Sequence, residues 1–264
     1  MTDPSTDLLI ERDGDLLILT LNRPEKLNAM SNGIRTGLYE AVIDVMETKS
    51  ARAILITGAG RGFCSGADLE GSSLTDRREH IEGQVMTGVN RLVQALRDVP
   101  VPVITALNGP AAGAGVGLAL SGDIVIAARS AKFTMAFARI GAVLDAGASW
   151  SLTQRVGLAR ATGMAMLADE PIDAETAAAW GLIWKVVDDD ALMDEALRVA
   201  RKLAAGATVA LGLIKRELVN GQNATLEQAL RFEAACQRQA FATEDFPEGV
   251  AAFQQKRAAD FKGR

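Results

Sequence analysis

Residues Asn108 to Asp123 read N-G-P-A-A-G-A-G-V-G-L-A-L-S-G-D and directly follow the apolar run Val101 to Leu107. An apolar run of that length reads as a buried strand, and the tiny residues after it as a turn that opens a helix. Such a turn leaves backbone N–H groups facing outward, with the positive end of a helix dipole behind them, and this suits an oxyanion. Gly113, Ala114 and Gly115 let a ligand come close to the main chain. A second turn of small residues, Gly62-Phe63-Cys64-Ser65-Gly66-Ala67-Asp68, follows another apolar strand, Ala53 to Thr57. Two such turns could each supply one donor. The competing reading of each is tight helix–strand packing. Losing one oxyanion donor typically costs about 3 kcal/mol of transition-state stabilisation.

Asp145 stands alone in the apolar run Ala142 to Ala148. Two readings of it are open. A carboxylate among Val143, Leu144, Ala146 and Gly147 would be desolvated, its pKa would rise, and it would suit proton transfer near neutral pH. As the N-cap of a helix over Ala146 to Val156 it would instead be lowered. The single histidine, His80, lies in the charged stretch Asp76 to His80 and reads as solvated surface. A histidine-rich metal site is thereby excluded, and no carboxylate spacing suggests a metal. Cys64 has no base beside it in sequence and reads as a small residue filling its turn. There is no phosphate-binding G-x-x-x-x-G-K-[ST], and Gly113 to Gly117 make a poor dinucleotide fingerprint. Lys26, Arg23 and Arg61 could meet phosphates, with solvated surface charge as the default for each. Trp180 and Trp184 read as core or interface aromatics.

The elements that must hold these groups follow an α/β order. Leu8 to Glu11 and Leu16 to Leu21 flank Asp13-Gly14, a hairpin signal. Ser31 reads as the N-cap of a helix to about Lys49, with Ile34, Leu38, Val42 and Val45 at helical spacing. The strand at Ala53 comes next, then a helix from about His80 to Arg97, then alternating strand and helix through Asp123 to Ala127. This predicts an α/β core with crossover connections. After Val187 helical signals dominate: Ala191 to Ala204 stopped by Gly206, a capping box at Thr225 and Gln228, and a start at Asp245. Residues 188–264 read as a helical region that folds back on the 1–187 core or packs on a neighbouring subunit.

The chain has 264 residues, 48% hydrophobic and 23% charged, enough for a sizeable core. A net charge of −5 with no basic run argues against nucleic acid as the partner. Two cysteines make no disulfide framework, which suits a reducing compartment. Met1 to Pro4 lack the features of a signal peptide, and no apolar run is long enough to span a bilayer. The expected location is the cytoplasm.

These motifs resemble the enoyl-CoA hydratase/isomerase (crotonase) superfamily along nearly the whole chain. The matching stretches are Asn22-Arg23-Pro24-Glu25-Lys26-Leu27-Asn28-Ala29, Phe63 to Leu69, Ile104 to Asp123, Trp180-Gly181-Leu182 and the tail around Phe253 to Arg257. The resemblance implies a spiral of repeated β-β-α units with a C-terminal helical trimerisation region, in trimers that often pair into hexamers. It implies an acyl-CoA thioester ligand and no separate cofactor. The thioester carbonyl would be held by the N–H groups of Ala67 and Ala114. Lys26, Leu27, Ala29, Ser65, Asp68 and Leu69 would hold the CoA, Gly113 would border the thioester, and Phe137 would line the acyl pocket.

The family's hydratases use two glutamates, which would fall at Gly117 and Phe137; both are absent here. Asp145 stands where one subgroup places a catalytic aspartate. Phe133 to Gly141, Trp180 to Asp189 and Leu211 to Lys215 resemble the ring-1,2-epoxyphenylacetyl-CoA isomerases, although Leu144-Asp145-Ala146-Gly147-Ala148 departs from their usual proline before the aspartate and paired glycines after it. 4-Chlorobenzoyl-CoA dehalogenases also use an aspartate here, but the partners they require, near Gln94 and Phe137, are missing. The expectation is a CoA-thioester isomerase with Asp145 as its acid–base. The alternatives are a non-catalytic acyl-CoA-binding homologue and a weak hydratase.

Overall fold

The computed structural model describes residues 7–69 and 74–264, apart from the side chains of 74–78. The expectations for Met1 to Pro4 and for the charges of Asp76 to Arg78 lie outside the described residues. Strands β1 (Leu8–Asp13) and β2 (Leu16–Leu21) pair as the antiparallel hairpin expected from their turn. Helix α1 (Asn32–Thr48) starts where its cap requires: the Ser31 hydroxyl accepts from the Ile34 N–H at 3.1 Å. Its buried residues are Ile34, Leu38, Val42 and Val45, the stripe read from spacing.

After β3 (Ala53–Gly58) the structure departs from expectation. The helix expected from His80 begins earlier and comes in three parts: α2 (Leu74–Val85), a single π-helical turn over Met86–Asn90, and α3 (Arg91–Asp98). The first turns of α2 carry charges in place of an apolar stripe, so periodicity gave no sign of them. Next come β4 (Val103–Leu107), β5 (Ala111–Ala112), α4 (Ala114–Leu120), β6 (Ile124–Ala128) and β7 (Lys132–Thr134). Helix α5 (Ala148–Met166) is broken at Gly157, where φ is 74°, so the end expected at Val156 is a kink inside a longer element. β8 (Ile172–Asp173), α6 (Ala174–Ala179) and β9 (Lys185–Val187) complete the core connections.

The main sheet runs β1-β2-β3-β4-β6-β9, parallel from β2 onward, and a small sheet joins β5-β7-β8. β3 and β4 are buried almost end to end, as strands covered on both faces must be. One face packs with α1, α3 and α4 through Ile34, Leu38, Leu92, Leu96 and Val116. The other is covered by α7 (Leu192–Ala204), whose Leu192, Ala196, Ala200 and Ala204 meet Leu16, Leu55, Ile104 and Ile126. The helical region after Val187 therefore begins by folding back on the sheet. α8 (Thr208–Gly221), α9 (Leu226–Phe241) and α10 (Asp245–Gln255) follow, and α9 opens on the expected capping box of Thr225 and Gln228. Among the described residues no helix is long and apolar enough to cross a membrane.

Candidate active site

Backbone hydrogen bonds stitch the two small-residue turns side by side. The Phe63 N–H donates to Pro110 O at 3.0 Å, and the Ala112 N–H to Cys64 O at 2.9 Å. Gly66, at φ 99°, crosses the Ala111–Ala114 turn so closely that a Cβ would stand 2.8 Å from Ala112 O and 3.5 Å from Ala114 N. Only glycine fits there. Ala67 comes next. Its strand-like bridge to Met30 runs through the Met30 N–H to Gly66 O (2.7 Å) and the Asp68 N–H to Met30 O (3.4 Å), which leaves the Ala67 N–H out. Ala114 is the first residue of α4, where helical N–H groups have no intrahelical acceptor. Neither amide donates a backbone hydrogen bond among the described residues.

Asp145 sits in the segment between β7 and α5. It is not the helix cap: Gly147 holds that position, and the Asp145 side chain bonds to no N–H of the first turn. Its Oδ1 is buried without a hydrogen-bond partner, and burial pushes its carboxyl above the ordinary carboxylate range. Of the two sequence readings, the desolvated acid is the one found. Ala146 adopts φ 51° and Gly147 φ 68°, and this left-handed pair turns the chain onto α4. At Gly117 a Cβ would meet Ala146 O at 2.5 Å and Ala146 Cβ at 2.6 Å. The position of the absent first glutamate is thus filled by the turn that carries Asp145.

Ala67, Asp68, Ala114 and Asp145 border one cavity of about 850 Å³. The other expected residues stand outside its lining. Lys26, Ser65 and Leu69 are exposed on the adjoining loops, and Leu27 and Ala29 are half-buried there. Gly113 caps α4, and its N–H donates to Thr134 O at 2.9 Å. Phe137 is 8% exposed, and its ring stands beneath Gly113. Asp68 is held by Arg23 at 2.7 Å. Burial opposes the Arg23 charge, but Asp68, Asp7 and Glu25 together outweigh it and leave the guanidinium pKa raised. Arg23 is therefore a loop tie rather than a free surface cation. The Cys64 thiol is pushed up to about 11 by burial, consistent with a turn filler. His80 is exposed on α2, and Trp184 is exposed while Trp180 packs on the core. No group of three potential metal ligands occurs among the described residues.

Sequence reasoning missed several residues. Asn28 is fully buried and ties three loop segments: its Nδ2 donates to Ala59 O (2.9 Å) and Gly62 O (2.8 Å), and its Oδ1 accepts from the Arg23 N–H (2.8 Å). Ser31, Arg35 and Tyr39 line the cavity from α1. Their four-residue spacing, a polar stripe beside the apolar one, was the available signal. The Arg91 guanidinium lies 4.1 Å from the Tyr39 ring centre.

A parallel sheet wrapped by helices, with two stitched turns and the buried Asp145 carboxyl bordering one cavity, defines an α/β enzyme-like site of the crotonase fold. The whole-chain comparisons agree. The Enoyl-CoA hydratase/isomerase family matches residues 11–264, and this chain belongs to that family. It is 45% identical to a 1,2-epoxyphenylacetyl-CoA isomerase of Escherichia coli, covering 94% of this chain and 95% of that protein. It is 35% identical to a 2,3-dehydroadipyl-CoA hydratase of the same organism, covering 98% of this chain and all (100%) of that protein. Among solved structures it is similar to an enoyl-CoA hydratase from Polaromonas, with TM-score 0.89, 34% identity, and 97% of this chain and 99% of that one covered.

Proposed function

We propose that this chain is an acyl-CoA thioester isomerase. The observation that carries the reading is the Asp145 carboxyl: desolvated, without a partner at Oδ1, and bordering the same cavity as Ala67 and Ala114. In this reading the two alanine N–H groups hold the thioester oxygen and acidify the neighbouring carbon. The Asp145 carboxylate takes a proton from C2 of a 3-enoyl-CoA. The resulting dienolate stays in the two-amide cradle, and the same proton returns at C4, giving the 2-enoyl-CoA. No water is added, no electrons leave the substrate, and no cofactor beyond the substrate's CoA is called for. The similarity to the Escherichia coli isomerase supports 1,2-epoxyphenylacetyl-CoA, opening to the oxepin, as a further substrate.

Hydratases among the relatives support water addition as a second reading. Gly117 and Phe137 count against it, since neither supplies a carboxylate. Lys26 and the Ser65 to Leu69 loop are assigned to CoA. The large apolar side chains left exposed at Val143, Trp184 and Phe253 support self-association, which we assign to a homotrimer or a dimer of trimers, and we place the chain in the cytoplasm.

The test is Asp145→Asn assayed with a 3-enoyl-CoA. The expected loss is about 10²- to 10⁴-fold in kcat with circular dichroism unchanged. A folded variant that isomerises at the wild-type rate overturns the proposal, and a wild type that only hydrates crotonyl-CoA establishes the hydratase.

A further inference from the structure

A cavity of about 330 Å³ lies where α3, α5 and α8 meet, and it shares no lining residue with the cavity of Ala67, Ala114 and Asp145. Three cationic side chains border it, Arg97 of α3, Arg155 of α5 and Lys215 of α8, against one carboxylate, Asp123. Charge taken out of water is ordinarily paired. Lys215 lies 3.0 Å from Asp123 Oδ2, and the same oxygen accepts from the Val103 N–H at 2.8 Å. Half-buried Arg155 donates to Leu120 O (3.0 Å) and Gly122 O (2.9 Å) at the carboxyl end of α4, and to Leu182 O (3.1 Å). These carbonyls satisfy its N–H groups without supplying a full negative charge. Arg97, also half-buried, is left over. Its guanidinium lies 4.6 Å from the Trp150 ring centre and makes no hydrogen bond or ion pair among the described residues.

The cluster therefore holds more positive than negative charge, and its members feel it. Burial lowers the Arg97 pKa, and burial together with the Arg97 charge pushes Arg155 down to about 10. An anion in the cavity would relieve both. The walls select its kind. Trp150, Leu211, Ile214, Leu218 and Val219 offer apolar surface around the cations, and Ile214 and Leu218 are exposed at the rim. A compact inorganic anion gains nothing from such walls. An organic carboxylate buries its hydrocarbon against them, while its two oxygens match the planar fork of a guanidinium. The volume stands at the lower end of the range for small-molecule sites. We infer that this cavity binds a small organic carboxylate, with its head on Arg97 beside Arg155 and its hydrocarbon against Trp150 and the α8 side chains. The site is separate from the thioester cavity and does not depend on what is bound there.

The test is calorimetric titration of the full chain with hexanoate, with its neutral isostere hexanamide, and with inorganic sulfate. The wild type binds hexanoate with a Kd on the order of 1 mM or tighter, as a ligand of so few atoms allows. It binds both controls at least about tenfold more weakly, the scale of a charge-assisted hydrogen bond. Arg97→Gln removes the cation and brings hexanoate to the level of hexanamide. Ile214→Trp fills the cavity from α8 and weakens hexanoate by about tenfold. The two substitutions lie on different helices, and circular dichroism establishes that each variant is folded. Absence of hexanoate binding, or equal binding of hexanoate and hexanamide by the wild type, overturns the inference. So does hexanoate affinity retained by folded Arg97→Gln, or by Ile214→Trp where Arg97→Gln does not fold, since the acid is then bound elsewhere on the chain. Sulfate binding as tight as hexanoate makes this an inorganic-anion site and overturns the assignment to a carboxylate.

Discussion

The Asp145 carboxyl is raised by burial, and the sign of that change fixes two pH effects. As a base it must be ionised, so the rise of kcat with pH should be centred above the ordinary carboxylate range, and a pH–rate profile locates it. The same shift costs stability. The folded chain holds this proton more tightly than the unfolded chain does, so stability falls as pH rises from the unfolded value through the folded one. Asp145→Asn removes the titration. Its stability relative to wild type should therefore increase as pH rises through the ordinary carboxylate range and on through the raised folded-state value, read as the difference in urea midpoints. A constant difference would mean that the carboxyl is ionised as easily as in water. The sequence left Asp145 balanced between cap and acid because both readings require the same residue before the same helix. The decision lies in Ala146 and Gly147, whose left-handed backbone carries the helix start past the aspartate.

Two elements position the proposed oxyanion cradle, and each admits a test. Ala114 is the first residue of α4, a position where proline keeps the helix because the N–H has no helical acceptor. Ala114→Pro removes one donor while sparing the helix. The expected result is a drop of about 10² to 10³ in kcat with an unchanged circular dichroism spectrum. If activity survives, the α4 amide is not a donor to the reacting oxygen. The turn from Gly62 to Asp68 depends on Asn28. Asn28→Ala leaves the carbonyls of Ala59 and Gly62 without its donor and the Arg23 N–H without its acceptor, and should lower unfolding free energy by about 2–3 kcal/mol in urea denaturation. Local chemistry made Ser31, Thr225 and Gln228 legible, because a cap acts within four residues. β5, β7 and β8 were not legible: two or three residues each, they exist only through pairing across the fold. Asn28 was hidden for the same reason, since Ala59 and Gly62 are distant from it in sequence.

Across the whole molecule, the helical region after Val187 is tied to the core by a buried charge. The Lys215 side chain on α8 is 6% exposed, lies 3.0 Å from Asp123, and donates to Leu96 O at 2.9 Å. Asp123 in turn accepts from the Val103 N–H at 2.8 Å, at the start of β4. Burial pushes the Lys215 amine below its usual range despite the attraction of Asp123. Periodicity could not place this lysine, because a charged residue on a helix reads by default as solvated. A surface ion pair would contribute little, but breaking a buried one strands its partner. Lys215→Ala should therefore cost about 3 kcal/mol. With α7 covering one face of the sheet and Lys215 reaching beneath its edge, the helices and the sheet should also unfold as one unit. All three tryptophans, Trp150, Trp180 and Trp184, lie before residue 188, so fluorescence reports that part of the chain, and far-ultraviolet circular dichroism is weighted toward the helices. In wild type the two denaturation curves should coincide. In Lys215→Ala both midpoints should fall together, whereas curves that separate would make residues 188–264 a domain that folds independently of the sheet it covers.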